Sequence, residues 1–589
     1  MKGAPVSKHF DDVYFSADNG LAETHHVFIE GNALPTAWQG VERFVIGETG
    51  LGTGLNFLAA WKLFEETADQ NAQLHFVSFE KFPLGADDIR QALMPFADEL
   101  GDYIDRFLEA YPILIPGFHR VSVSDRVFLT LIFDDINEAI PQLDAAVDCW
   151  FLDGFTPAKN PEMWTDTVFE NMARLSASGA SFATFTAAGD VKRGLQAAGF
   201  EVQKADGYGR KRDMLIGAYK GEREPQKISK PNVAIIGGGL AGTSCAYALK
   251  RYGLSPVIYD RHQGLAQEAS GNPAGLFNPR FSAFRTGESD FYASAFAQVL
   301  QNFDQFDDID LNMVGALHVI NSDEKTKRFH TMLENWIWPD DEMQIVDAEA
   351  ASEIAGITID KSALYLKRSG SVNPAKLCHA YAEGVEVVHK DIDSLNDIDA
   401  DIIVLASGSA VKDFVPWLPT HAVRGQVTSI KESDLSENLK CNLHYGGYIS
   451  AARDGEHMVG STFQKWLSHT DVLDEDHTDN LDRLRENVSA FADADFEIRS
   501  GRAGLRTSSK DRFPIAGKVP NMENVYVSTA HASHGIVSSL ASAQMIADQI
   551  TGAPFSQSIK SQKSLSAQRF IDRAIRKGEV LDGYDGNLG

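Results

Sequence analysis

Cysteine is scarce in this chain: four residues in 589 (Cys149, Cys245, Cys378 and Cys441), with no C-x-x-C pair among them. That spacing excludes a disulfide framework and a zinc ribbon, and it suits a reducing compartment. Long apolar runs are missing too; no stretch of 18 or more apolar residues could span a bilayer. The opening MKGAPVSKHFDDVYF carries no apolar core of a secretory signal, so a cytoplasmic protein with no membrane association is expected. Positive charge is in deficit, with 54 Lys+Arg against 82 Asp+Glu and a net charge of −28. The deficit is shared, 21 against 34 in residues 1–230 and 33 against 48 in the remainder, so neither half is a basic domain. Broad phosphate-driven nucleic-acid binding is thereby excluded, and any such contact must rest on local patches. No metal site is expected.

What is present is length, enough for two or more cores. Residues 1–222 alternate apolar runs (RFVIGE, LHFVSFE, DCWFLD, SFATFT) with amphipathic stretches, the rhythm of a parallel sheet flanked by helices. The polar, proline-bounded stretch around 223–231 reads as a linker, and a second α/β unit occupies 232–589. No internal repeat is found.

Each half begins with a glycine-rich turn between a strand and a helix. The first, FVIGETGLGTGLNF, places Glu48 at a strand end, followed by Gly50, Gly52 and Gly54, with Leu55 where a dinucleotide fold would need a third glycine. Alternating glycines behind an acid suit S-adenosylmethionine, a sulfonium with an amino-acid tail and no pyrophosphate. Glu80 ends the next strand, where a carboxylate can accept from both ribose hydroxyls. These features resemble a class I (Rossmann-like) methyltransferase. Farther on, WFLDGFTPAKNPEMW sets Asp153 at a strand's carboxyl end, where open α/β sheets bind ligands. It either orients and deprotonates an amine or merely caps the loop through an Asx-turn. DGYGRKRDM presents Arg210, Lys211 and Arg212 in succession, suited to phosphate recognition or to a plain solvated surface.

The second turn, VAIIGGGLAGTSCAYAL, fits the dinucleotide pattern with Gly237, Gly239 and Gly242, and Asp260 follows 23 residues after Gly237 to hold a ribose hydroxyl. That motif alone does not separate FAD from NAD. Three later segments resemble flavoproteins of the D-amino-acid-oxidase and glycine-oxidase type: DIIVLASGSA with Ala406 and Gly408, GRAGLRTSSKDRFPIAG, and the closing strand, HASHG turn with Gly535, and small-residue helix. The resemblance implies an FAD-binding Rossmann domain with an α+β substrate domain. It maps the carboxylate-binding arginine onto Arg506, with Tyr448 as its helper. A structural salt bridge is the other reading of Arg506. His531 and His534 are weaker acid–base candidates, because such an oxidation needs only a neutral amine.

Taken together, the order of the halves, the linker and the pieces GETGLGTGLNF, WFLDGFTPAKNPEMW and GRKRDM resemble the bifunctional family that builds 5-methylaminomethyl-2-thiouridine in tRNA. The resemblance implies FAD-dependent removal of a carboxymethyl group from the wobble uridine, releasing glyoxylate. S-adenosylmethionine-dependent methylation of the exposed amine follows. It also implies Asp135 near the adenine and a tRNA partner. The HASHG turn departs from the family's glycine- and arginine-containing turn. The tail SIKSQKSLSAQRFIDRAIRK (558–577) offers either phosphate contacts or a C-terminal helix packed on the flavin domain. Two other readings stay open: a small-molecule amino-acid or amine oxidase fused to an N-methyltransferase, and a binding protein with relic cofactor turns.

Overall fold

A computed structural model describes residues 5–7, 9–15, 19–209, 211–223, 230–336 and 338–584. The chain divides into two compact units, residues 1–229 with 548–559, and residues 230–547 with 560–589. The short segment 548–559 thus belongs to the first unit although it lies far along the chain. Its anchor there is Arg120, buried on strand Gly117–Ser124, which donates to the Pro554 carbonyl at 2.6 Å and pairs with Asp548 at 3.4 Å. Nothing in the local composition of 548–559 signals that attachment.

The first unit is built on an eight-stranded sheet. In spatial order its strands are Gly117–Ser124, Val127–Phe133, Gln73–Phe79, Arg43–Glu48, Val147–Phe151, Ser176–Thr184, Asp213–Tyr219 and Phe200–Asp206. The five central neighbours run parallel, and the Phe200–Asp206/Asp213–Tyr219 hairpin and Gly117–Ser124 close the edges antiparallel. Central strands such as Val127–Phe133 are buried at every position, as parallel strands covered on both faces must be. Alternate residues feed two separate cores. Phe76 and Cys149 join Phe57, Trp61 and Phe107 on one face; Val77 and Trp150 join Phe169 and Phe182 on the other. The order of strands reverses between Arg43–Glu48 and Val147–Phe151, which creates the crevice where such sheets bind ligands.

In the second unit a six-stranded sheet runs Glu386–His389, Val257–Asp260, Val233–Ile236, Ile402–Leu405, Val525–Thr529 and Ile515–Lys518, parallel except at the last. A mixed eight-stranded sheet centres on the long antiparallel pair Thr420–Lys431 and Ile498–Ser509. The tail forms helices Ile559–Leu565 and Gln568–Lys577. The second buries Phe570, Ile571 and Ala574, and its Arg569 is bound to Asp511. The packed-helix reading of the tail is therefore the observed one, with part of its basic character spent on an internal ion pair.

Candidate active sites

In the first unit the glycine turn has a separate reason for each glycine. Gly52 (φ +54°) and Gly54 (φ +81°) occupy left-handed backbone, and Gly54 starts helix Leu55–Thr67. Gly50 has ordinary backbone, and a Cβ there would press on the Met163 methyl at 3.3 Å while meeting the Asp153 carbonyl and the Gly154 Cα at ordinary contact distance. Glu80 receives the Gly52 N–H on one oxygen (3.0 Å) and the Phe82 N–H on the other (2.9 Å), which fixes its carboxylate at the crevice wall.

Glu48 departs from expectation. It is fully buried and does not line the crevice; Ser78 Oγ (2.6 Å) and Asn56 Nδ2 (3.0 Å) donate to it, and burial pushes its carboxyl well above the usual range. The acid at this strand end reaches the crevice only through Asn56, whose Nδ2 also donates to Asp153 Oδ2 at 2.7 Å. Thr24 Oγ1 donates to the Asn56 side-chain oxygen Oδ1 at 2.8 Å, so both ends of the side-chain amide are engaged. Sequence reasoning passed over Asn56; its signal was one amide on an otherwise apolar helix face directly after the glycines.

Asp153 lines the crevice and also receives the N–H of Gly154 at 2.8 Å, so the loop-capping and site-facing readings describe the same side chain. Burial raises its pKa to about 6, with the Gly154 and Asn56 hydrogen bonds opposing the rise. Asp135 is on the same wall. It caps the turn Ile136–Ala139 through the Asn137 N–H and accepts from Lys81 Nζ at 2.7 Å. Burial works against its ionisation, but those donors hold its pKa below the usual value.

In the basic triplet, Lys211 is engaged by neighbouring side chains. Arg210 lies outside the described residues and Arg212 is exposed. Lys211 bonds Glu23 at 3.1 Å, sits 4.1 Å over the Phe185 ring, and is close enough to Asp153 to favour its charged form. Lys211 and Arg212 directly precede strand Asp213–Tyr219 of the antiparallel edge hairpin, and the Lys211 side chain stays half exposed.

The crevice measures ≈ 80 Å³ and is roofed by Phe10, Val13 and Tyr14 from the N-terminal segment. Thr156 N–H and Oγ1 both donate to Asp12 and hold that segment down. Its lining holds Glu80, Asp134, Asp135, Asp153 and Glu162 against one cation, Lys81. Such a donor set fits a ligand with cationic sulfonium and ammonium groups and repels a pyrophosphate.

In the second unit a cavity of ≈ 630 Å³ extends from the second glycine turn to Arg506 and Tyr448, a volume suited to a large cofactor with a small substrate. Gly237 (φ +113°) would place a Cβ 2.5 Å from the Ala406 carbonyl, and Gly242 would place one 1.8 Å from the Gly237 carbonyl. Both contacts are with backbone, so neither position admits a side chain. Gly239 caps helix Leu240–Arg251, whose N-terminus faces the cavity as a pyrophosphate seat. Asp260 is fixed by the N–H groups of Gly238 (2.6 Å) and His262 (2.8 Å). Ala406, Gly408 and Gly535 line the same cavity, Gly408 at φ +57°. The nucleotide half therefore fits FAD.

At the other end Arg506 Nη2 donates to Ser461 Oγ at 3.1 Å, while Nη1 is buried with no hydrogen-bond partner. Among the described residues Arg506 forms no ion pair, and Gly425 leaves room for it, since a Cβ there would lie 1.9 Å from Nη1. Tyr448 is close enough that Arg506 favours its ionised form, although burial raises its pKa overall. His531 is held by Ser538 (2.8 Å) and Ser528 (3.1 Å). Burial lowers both His531 and His534 to about 4, so each is a neutral imidazole near neutral pH. Sequence reasoning also missed His444, which lines the cavity and stacks on His318 with ring centroids 4.3 Å apart.

A methyl-donor crevice in one unit and a flavin cavity in the other define a fused methyltransferase and flavin oxidoreductase. Residues 98–220 match the family described as S-adenosyl-L-methionine-dependent methyltransferase, and residues 232–549 match FAD dependent oxidoreductase. The chain is 37% identical to the tRNA 5-methylaminomethyl-2-thiouridine biosynthesis bifunctional protein MnmC of Idiomarina loihiensis, covering 97% of this chain and 98% of that one. Proteins of the same name from Methylobacillus flagellatus (36%; 99% and 97% covered) and Ectopseudomonas mendocina (34%; 98% and 97%) are similar over the same span. The chain belongs to the family of tRNA 5-methylaminomethyl-2-thiouridine biosynthesis bifunctional proteins. Among the described residues no helix is long and apolar enough to cross a membrane.

Proposed function

We propose that this chain performs two consecutive reactions on one nitrogen of the tRNA wobble uridine. The second unit oxidises the secondary amine of 5-carboxymethylaminomethyl-2-thiouridine; water then hydrolyses the imine, glyoxylate leaves, and a primary aminomethyl group remains. The first unit transfers the methyl group of S-adenosylmethionine to that amine. The observation that carries this reading is one cavity with a dinucleotide seat at Gly237–Gly239 and the unpartnered Arg506 Nη1 at its far end.

When bound, FAD would supply the oxidising power by accepting a hydride, and with it both electrons, from the carbon beside the amine, while the nitrogen gives up its proton. Arg506 would orient the substrate by receiving its carboxylate, because a buried N–H without a partner costs about 1–3 kcal/mol until an acceptor fills the place. Tyr448 would add a hydroxyl donor to the same group. His531 and His534, neutral and held by neighbours, would shape the cavity rather than carry protons.

In the methyl transfer the amine must be neutral to attack. Asp153, with its pKa at about 6, is mostly a carboxylate near neutral pH and would accept the amine proton. Glu80 would hold the donor's ribose and Asp135 would stand near its base. Cytoplasm is the compartment where tRNA and the methyl donor meet, and it suits the four buried free thiols.

The test is incubation with undermodified tRNA and S-adenosylmethionine, followed by mass spectrometry of the digested nucleosides. Successive loss of the carboxymethyl group and gain of a methyl at the wobble position is the expected result. Turnover of free glycine or sarcosine with an unchanged wobble uridine would overturn it in favour of a small-molecule oxidase.

A further inference from the structure

A protein of net charge −28 that acts on tRNA has an affinity problem, and pairing of Lys211 with Glu23 deepens it. Four large aromatic side chains stand notably exposed: Phe82, Phe284, Phe463 and Trp466. Isolated exposed aromatics are unremarkable on a protein surface. Two of them border the sites already described. Phe82 lines the methyl-donor crevice, Phe463 lines the flavin cavity, and Phe284 lies six residues beyond the cavity-lining Asn278. Trp466, the most exposed of them at 76%, follows Phe463 (55%) by three residues.

The loop that carries Phe463 and Trp466 is held in place. Gln464 exchanges both backbone hydrogen bonds with Arg424, at 3.0 and 2.9 Å. The Arg424 guanidinium is wholly buried and donates to the Gln464 side chain, the Asp471 carbonyl and Asp476. Gln464 Nε2 closes the knot on Asp476 at 2.8 Å. A buried ion pair is an expensive way to gain stability, but it fixes geometry. Here it anchors the chain at Gln464 and Asp471, on either side of the exposed Trp466, while Phe463 lines the substrate end of the cavity with the Arg506 guanidinium 5.2 Å from its ring.

We propose that Phe463 and Trp466 form a stacking platform for the nucleobases of the single-stranded tRNA segment that flanks the modified uridine. This rests on the function proposed above and supplies what its electrostatics lack. Every base has a π face, and aromatic stacking contributes to RNA binding without a basic surface. A rigid platform also lowers the entropy lost when the loop is bound. The flanking bases rest on the aromatic pair while the uridine substituent reaches Arg506.

The experiment titrates the full-length, flavin-loaded protein with tRNA bearing 5-carboxymethylaminomethyl-2-thiouridine, at several salt concentrations, and measures turnover of that tRNA and of the free modified nucleoside. Trp466→Ala should weaken tRNA binding about tenfold and lower the ratio of tRNA to nucleoside kcat/KM by a similar factor. The slope of log Kd against log salt should stay at the wild-type value, because no phosphate contact is removed. Trp466→Phe should recover most of the loss, and tRNA should quench fluorescence in wild type more than in Trp466→Phe. Flavin absorbance reports that each variant is folded. Wild-type binding with an unaffected Trp466→Ala overturns the platform alone, as does a variant that changes oligomeric state but not tRNA affinity. A wild-type protein that neither binds nor modifies this tRNA overturns the functional reading together with the platform.

Discussion

Asn56 Nδ2 lies 2.7 Å from Asp153 Oδ2 and donates to it, while the same nitrogen donates to the buried Glu48. The hydrogen bond opposes the effect of burial on Asp153 and fixes its rotamer in the crevice. Asn56→Ala is therefore expected to slow methylation of aminomethyl tRNA by about tenfold, the order expected when a catalytic group loses its positioning partner. It should also move the acid limb of the pH–rate profile upward, because a donor that stabilises the carboxylate is lost. Amine oxidation by the same variant should be unchanged.

On the role proposed for it, Asp153 is expected to set the pH dependence of the wild-type methyl transfer. Its pKa is raised to about 6, so the carboxylate predominates above that pH and is protonated below it. Methyl transfer should rise as pH increases through about 6, and Asp153→Asn should remove that limb together with most of the activity. The measurement is kcat/KM against pH with a pre-formed aminomethyl tRNA, which keeps the oxidation step out of the profile.

Arg506→Lys keeps the charge but gives up the planar fork, and Arg506→Ala gives up both. Removal of the carboxymethyl group should fall about a hundredfold or more in Arg506→Ala and substantially in Arg506→Lys, chiefly through lost orientation of the carboxylate. Methylation of aminomethyl tRNA should survive in both. Loss of methylation as well would show that the two reactions are coupled.

Gly242→Ala places a methyl group 1.8 Å from the Gly237 carbonyl, a contact with backbone that no rotamer relieves. The turn must open, so the purified variant is expected to carry little flavin. The ratio of absorbance near 450 nm to that at 280 nm, compared with wild type, checks this directly. The methyltransferase activity of that preparation should persist.

Much of the architecture was legible in one dimension because its signals are local. A glycine at +113° beside the Ala406 carbonyl, or at +81° at a helix start, leaves a mark at a single position. Buried parallel strands leave continuous apolar runs such as RFVIGE and VAIIG. Those signals separated a methyl-donor turn from a dinucleotide turn and pointed to Glu80 and Asp153, which line the first crevice, whereas Arg506 on the second cavity's wall came from the family resemblance of GRAGLRTSSKDRFPIAG. The hairpin around DGYGRKRDM was harder, since its return direction depends on which neighbour the strand Asp213–Tyr219 pairs with.

By themselves, then, the residues determined two glycine turns of different kinds, because backbone geometry and strand burial are properties of short segments, and the family resemblance of the later segments chose FAD over NAD. Tertiary structure decided how the charges are used. It buried Glu48 and linked it to Asp153 through Asn56, turned Lys211 toward Glu23, drew 548–559 to the first unit, and left Arg506 Nη1 without a partner. Each of these depends on which distant side chain supplies the hydrogen bond or the counter-charge, and a linear pattern does not encode that distance.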